Sequence, residues 1–407
     1  MLNQISGGVC AAKGFTAAGV HCGVKAGSSP DKNDLALILS EKECAAAATY
    51  TMNRVKAAPL YVTMDHLENG VAWGVVANSG NANACCPQSH ENAEAMSASA
   101  AAATGREPGD FVVASTGVIG QTINISAIQA GLPQAAAALS ADGSDAAAHA
   151  IMTTDTVKKE IAVSLTIGGK EVRLGAIAKG SGMIHPNMGT MLAFVTTDCA
   201  ITHEMLSDAL HEVVSRTFNR VTVDGDTSTN DMCVVLANGM AGNSLIEWKD
   251  QDYETFLAAL EEVCRHLSRA IAGDGEGASK LVTCKMHGAR SEESAERLAK
   301  AVVGSSLVKA AMFGADANWG RVLCAMGYSK APFRPEHVDV SFCSQAGAIL
   351  VCKQGDGVDF DEDKAKTILT EKEVIIDVDL HEGDESAECW GCDLTYDYVK
   401  INGDYRT

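Results

Sequence analysis

Apolar residues recur along this chain with two different periods. Period two is clearest at Ile161, Val163, Leu165 and Ile167, separated by Ala162, Ser164 and Thr166, followed by Gly168-Gly169 and then Val172, Leu174 and Ala176. Alternation interrupted by two glycines predicts a hairpin with a two-residue turn. Val282, Cys284 and Met286, spaced by Thr283 and Lys285, predict a strand, as do Val374, Ile376, Val378 and Leu380. Across the polar "HEGDES" turn, "CDLTYDYVKI" (392–401) reads as the partner of that last strand. "LALILS" (35–40) and "GVAWGVVANSG" (70–80) are short apolar runs closed by polar or glycine punctuation, the pattern of buried strands.

The helical period appears at Phe256, Leu257, Leu260, Val263, Cys264, Leu267 and Ile271, which fall on one face of a long amphipathic helix. "SEESAERLAKAVV" (291–303) reads as helix, and so does the alanine-rich "ENAEAMSASAAAATG" (91–105), with Gly105 as its stop. Strand and helix signals alternate without internal repeat or low-complexity linker. The expected class is α/β, with substantial antiparallel pairing.

Composition narrows the function. The 407 residues are 46% hydrophobic and 21% charged, enough for a large core and two lobes. The formal net charge of −20 and the lack of any basic block argue against nucleic acid and against an anionic membrane surface. The opening "MLNQISGGVCAAKGF" has no basic segment followed by an apolar one, and no run is long enough to span a bilayer, so a cytoplasmic protein is expected. The 14 cysteines are scattered, as reduced buried thiols would be. Cys389-Trp390-Gly391-Cys392 supplies only half a zinc site and sits in a strand-like stretch, so no metal is expected there.

Several chemical motifs fail. "DGDTSTND" (224–231) begins like a calcium loop but has Thr229 where the sharp turn needs glycine. "GDGEGASK" (273–280) follows a helix and precedes a strand, the reverse of a dinucleotide loop, and reads as a helix-ending turn that exposes Glu276. No Gly-x-Ser-x-Gly elbow is present. Asn78, Asn81 and Asn83 read as ligands of buried backbone, and His185 as a loop histidine bonded to its surroundings.

Two features carry more. "ASTGVIGQ" (114–121) follows an apolar strand, so Thr116 and Gly117 present a hydroxyl and an amide at a turn. An oxyanion-stabilising turn and an ordinary strand-to-helix turn both fit. In "KGSGMIHPNMGTMLAFVTTD" (179–198) a glycine-rich loop stops abruptly at Gly189-Thr190. A threonine with its own α-amino group freed holds nucleophile and base in one residue, although a lone Gly-Thr pair also fits a plain turn.

These stretches, taken with "ANSGNANACC", "MTTDT", "VDGDTSTND", "GADANWGRVLCAMGYS" and the closing "DYVKINGDYRT", resemble in order the glutamate N-acetyltransferase/ornithine acetyltransferase family of arginine biosynthesis. The resemblance implies a layered α/β sandwich of the ornithine acetyltransferase type, with mixed and antiparallel sheets. It implies self-cleavage between Gly189 and Thr190 into an alpha chain (1–189) and a beta chain (190–407) that stay together as a heterotetramer of two each. It implies acetyl transfer from N2-acetyl-L-ornithine to L-glutamate through Thr190, with no cofactor and with acetyl-CoA left open as a second donor. Thr116 and Gly117 match the oxyanion hole, and Thr153, Lys179, Thr190, Glu276, Asn402 and Thr407 match substrate contacts. Two departures are Gly189, where alanine is expected, and His185, where alanine is common and to which no role is given. An amide hydrolase or aminopeptidase on the same self-cleaving scaffold, and an uncut non-catalytic relative, are the competing readings.

Overall fold

The computed structural model describes residues 2–25, 27–185 and 191–404. Nine strands form one sheet: β1 (Asn3–Ile5), β2 (Phe15–Val20), β3 (Leu35–Tyr50), β4 (Val71–Asn78), β5 (Phe111–Ser115), β6 (Lys159–Ile167), β7 (Lys170–Lys179), β8 (Leu192–Thr197) and β9 (Met232–Ala237). Their order is β1-β6-β7-β8-β9-β3-β4-β5, with β2 also paired to β3. Pairing is antiparallel except at β8–β9 and β4–β5. The β6–β7 hairpin turns at Gly168 and Gly169 with φ of 54° and 76°, the left-handed pair that a two-residue turn demands.

The central strands are buried on both faces. In β8, Ala193 and Val195 face one core and Leu192 and Phe194 the other; in β9, Cys233 and Val235 oppose Met232 and Val234. A strand covered on both sides reads as a continuous apolar run, which is why "MLAFV" shows no alternation. Each large side chain so buried contributes about 1.5–3 kcal/mol. Helices α1 (Ala58–His66), α2 (Ser89–Thr104) and α3 (Ile125–Ala137) pack together beside β4 and β5, and α2 ends at Gly105 with φ of 70°. The short α4 (Ser144–Ala150) lies against the Leu192 face, and α5 (His203–Arg216) and α6 (Gln251–Gly273) cover the opposite one. All seven apolar positions expected on one face of α6 are buried.

The remaining strands form a second sheet: β10 (Leu281–Ala289), β11 (Asp339–Ser344), β12 (Gly347–Lys353), β13 (Asp356–Gly357), β14 (Glu373–Asp379) and β15 (Glu385–Cys392), in the order β13-β12-β11-β14-β10-β15. Helices α7 (Glu292–Gly304), α8 (Ser306–Phe313), α9 (Trp319–Gly327) and α10 (Glu362–Thr370) complete its core. The architecture is the α/β fold with substantial antiparallel pairing that the sequence pattern predicts, layered and with mixed and antiparallel sheets as the resemblance implies.

Three expectations are corrected. β14 and β15 do not pair with each other; they flank β10, parallel on one side and antiparallel on the other. The segment expected as partner strand is split: its first residue ends β15, and Tyr396–Asp404 is helix α11. The Thr395 hydroxyl accepts hydrogen bonds from the amides of Asp397 and Tyr398, which starts the helix despite the strand-forming Tyr and Val that follow. The strand beginning at Leu35 also runs on to Tyr50, past the polar Glu41–Glu43, where a register break between Leu39 and Cys44 interrupts β4 pairing; that pairing resumes at Cys44 and Ala45, and β9 pairs with Ala45–Tyr50.

Candidate active site

Three loops and one helix converge at the ends of β5 and β7. At the end of β5 the Thr116 amide donates to the Asn78 carbonyl at 3.0 Å, which leaves the Thr116 hydroxyl as its contribution to the cavity. Gly117 has φ of 131°, and a Cβ there would lie 2.4 Å from the Gly80 backbone, so only glycine fits. The asparagines beneath this turn act as scaffold. Asn78 donates to the Asn81 carbonyl and accepts from the Ser115 hydroxyl, Asn81 donates to Gln121, and Asn83 donates to Ser89. Asn230 adds donors to the carbonyls of Ala82 and Ser115.

β7 delivers Lys179 from the sheet. The loop before β6 delivers Thr153, and the turn ending α6 delivers Glu276. From α11, Asn402 donates to a Glu276 carboxylate oxygen at 2.8 Å. Thr116, Gly117, Thr153, Lys179, Glu276 and Asn402 line one cavity of about 280 Å³, together with Gly182 and Ser228–Asn230. Glu276 is only 8% exposed, so the turn does not expose it as expected but tucks it into the cavity wall. Gly182 makes that approach possible, since a Cβ there would meet the Glu276 carboxyl carbon at 2.3 Å.

The charges are unusually arranged for a chain this acidic. Lys179 is buried at 7% exposure and forms no ion pair among the described residues. Burial pushes its ammonium below the ordinary lysine range, opposed by Asp155, Asp231 and Glu276. For Asp155 burial works to raise the pKa, yet Lys179 and Lys159, together with the Gly180 amide, hold it down at about 2. Lys159 is fully buried and bonds Asp155 at 2.7 Å and Asp274 at 2.6 Å. The sequence pattern gave no sign of this group, because Lys159 and Asp274 lie 115 positions apart. Asp155 and Asp274 fall in stretches, "MTTDT" and "GDGEGASK", that the resemblance had marked, but Lys159 does not.

Of the other sites, Thr190, Gly189 and Thr407 lie outside the described residues. Met191, next to Thr190 in sequence, accepts from the Met232 amide and lines a small cavity that shares Thr116, Lys179 and Ser228 with the main one. His185 does not line the main cavity. Its Nδ1 meets the Thr222 hydroxyl at 3.0 Å, and burial, helped by Lys300, lowers its pKa to about 4, so the ring is neutral near pH 7. Cys389 and Cys392 belong to different cores, and burial raises both thiols, Cys389 to about 12, so neither offers a thiolate near neutral pH. Asp224 spends its carboxylate on the amides of Met183, Ile184 and Asp226. No described helix is long and apolar enough to cross a membrane.

Fold and cavity together define a layered α/β protein whose cavity is lined by one lysine and one glutamate beside a hydroxyl-and-amide turn. The chain belongs to the ArgJ family, whose model matches residues 16–407. It is 53% identical to the arginine biosynthesis bifunctional protein ArgJ of Symbiobacterium thermophilum over 407 residues, covering 100% of both chains. Against the ArgJ 1 protein of Clostridium acetobutylicum the identity is 49% over 394 residues, covering 97% of this chain and 96% of that one. A crystal structure of the Bacillus halodurans ArgJ protein matches with a TM-score of 0.51 and 47% identity, covering 53% of this chain and 100% of that chain.

Proposed function

We propose that this protein is an acyltransferase of arginine biosynthesis that moves the acetyl group of N2-acetylornithine to glutamate by a two-step exchange on Thr190. The observation that carries the reading is the meeting of Thr116, Gly117, Thr153, Lys179, Glu276 and Asn402 on one cavity in a chain of the ArgJ family. The Thr190 hydroxyl oxygen attacks the acetyl carbonyl while its proton passes to the Thr190 α-amine, whose reference pKa is about 7.7–8.0. The Thr116 hydroxyl and Gly117 amide face the oxygen that gains charge. The C–N bond then breaks, the α-amine returns the proton to the departing ornithine nitrogen, and an acetyl ester remains on Thr190. Glutamate's amine attacks that ester and the same steps run in reverse, releasing N-acetylglutamate and the free hydroxyl.

Lys179 pairs with the amino-acid carboxylate and Glu276, steadied by Asn402, with the side-chain ammonium of ornithine. Thr153 and Thr407 add contacts. The nucleophile is made by cleavage between Gly189 and Thr190, and the two pieces assemble as two copies of each in the cytoplasm. A relative solved as a chain matched whole by 53% of this one supports two pieces, since 190–407 is just over half of the sequence. Because the curated relatives are called bifunctional, we extend the reading to acetyl-CoA as a second donor.

The test is kinetic and chemical. Acetylornithine and glutamate should give parallel double-reciprocal plots, and enzyme given acetylornithine alone should carry one acetyl group on the peptide beginning at Thr190, removable by glutamate. Intersecting plots with an unmodified peptide mean direct transfer. Release of free acetate at the same rate without glutamate means a hydrolase.

A further inference from the structure

One lysine, Lys179, lines the cavity, and a second, Lys159, lies fully buried behind it. Lys159 bridges Asp155 (2.7 Å) and Asp274 (2.6 Å) and also donates to the Val157 carbonyl at 3.3 Å. These carboxylates tie three separate segments. Asp155 accepts from the amides of Thr153 at 3.1 Å and Gly180 at 2.7 Å. Asp274 accepts from the Thr156 amide and hydroxyl and the Val157 amide, and its carbonyl accepts from the Ser181 hydroxyl at 2.7 Å. The Glu276 amide closes the ring on the Ser181 carbonyl at 3.0 Å. The tied segments bring Thr153, Lys179 and Glu276 to the cavity.

We infer that Asp155, Lys159 and Asp274 form a positioning triad that fixes Lys179 and Glu276 relative to one another, with the Asp155 carboxylate, held on the Gly180 amide, as the negative charge beside Lys179. Buried charges are tolerated only when paired and hydrogen-bonded, and here Lys159 satisfies both aspartates. Lys179 is thereby left with the cavity as its outlet. The inference rests on the reading of Lys179 as the partner of the substrate carboxylate. The charged groups around that ammonium are Asp155 from the loop before β6, Lys159 at the start of β6, Asp231 ahead of β9, and Glu276 after α6.

A double-mutant cycle tests it. Wild type, Asp155→Asn, Lys179→Met and the double variant are compared for KM, kcat and the pH profile of kcat/KM with glutamate. Asp155→Asn should raise KM and lower kcat/KM by roughly 10- to 100-fold, the scale expected when a binding group is misplaced. Because Asp155 is the strongest group holding the proton on Lys179, its loss should also move the alkaline limb to lower pH. In the Lys179→Met background the same substitution should cost less than about 3-fold, since coupled residues are not additive. A full additional loss there, or an unmoved alkaline limb, overturns the triad. Unchanged KM in Lys179→Met alone overturns instead the assignment of Lys179 to the carboxylate. Should Asp155→Asn give no folded protein, Asp155→Glu serves: charge retained but displaced predicts a raised KM with the limb in place, and an unchanged KM overturns the proposal.

Discussion

Thr116 shows how little freedom a single residue has in this site. Its amide is committed to Asn78, its neighbour Gly117 admits no Cβ, and the hydroxyl is what remains to offer the cavity. Asn78, Asn81 and Asn230 hold the turn rigid by saturating the surrounding carbonyls, which suits a donor that must be in place before charge develops. Thr116→Ala should therefore lower kcat by roughly 10- to 1000-fold with little change in KM. Steady-state kinetics decides: a pure KM effect would put Thr116 in ground-state binding. Ser228, Thr229 and Asn230 line the same cavity; they fall in "VDGDTSTND", a stretch the resemblance marked without giving these residues a role.

Among the elements, α11 links the C-terminal segment to the chemistry. It is a nine-residue helix with Tyr396 and Val399 exposed, so core packing alone does not secure it. Its hold comes from Thr395, whose hydroxyl caps the helix and donates to the Gly277 carbonyl at 2.6 Å, one residue beyond Glu276. Thr395→Val removes a cap worth about 0.5–2 kcal/mol and loosens Asn402 from Glu276. KM for acetylornithine should rise by roughly 2- to 30-fold with kcat nearly unchanged. A fall in kcat at constant KM would assign the helix to the chemical step rather than to binding.

At the scale of the whole molecule, the expected cut falls between two hydrogen-bonded neighbours in one sheet. β7 ends at Lys179 and β8 begins at Leu192, and the two pair antiparallel along Leu174–Lys179. β8 and β9 are in turn inserted between β7 and β3, so strands of the second piece are flanked on both sides by strands of the first. Separating the pieces would strip both edges of a strand pair buried on two faces. Purified protein should resolve on a denaturing gel into pieces ending at Gly189 and starting at Thr190, yet elute together on native gel filtration. A single intact band, or a second N-terminus other than Thr190, would refute the cut; separate native elution would refute the interlocked sheet.

The sequence by itself determined the periodic elements: the β6–β7 hairpin, the buried face of α6 and the glycine stop of α2. Each depends on neighbours within a few positions, where side-chain period and turn chemistry act directly. Ordered motifs also marked Thr116, Lys179, Glu276 and Asn402. Tertiary structure alone decided the rest. Nothing local in "CDLTYDYVKI" says that Thr395 will find Gly277 and begin a helix, or that β10 will occupy the place between β14 and β15. Nor does any spacing join Asp155, Lys159 and Asp274, because a buried ion triad forms only when long-range folding removes water and brings opposite charges from distant segments within bonding distance.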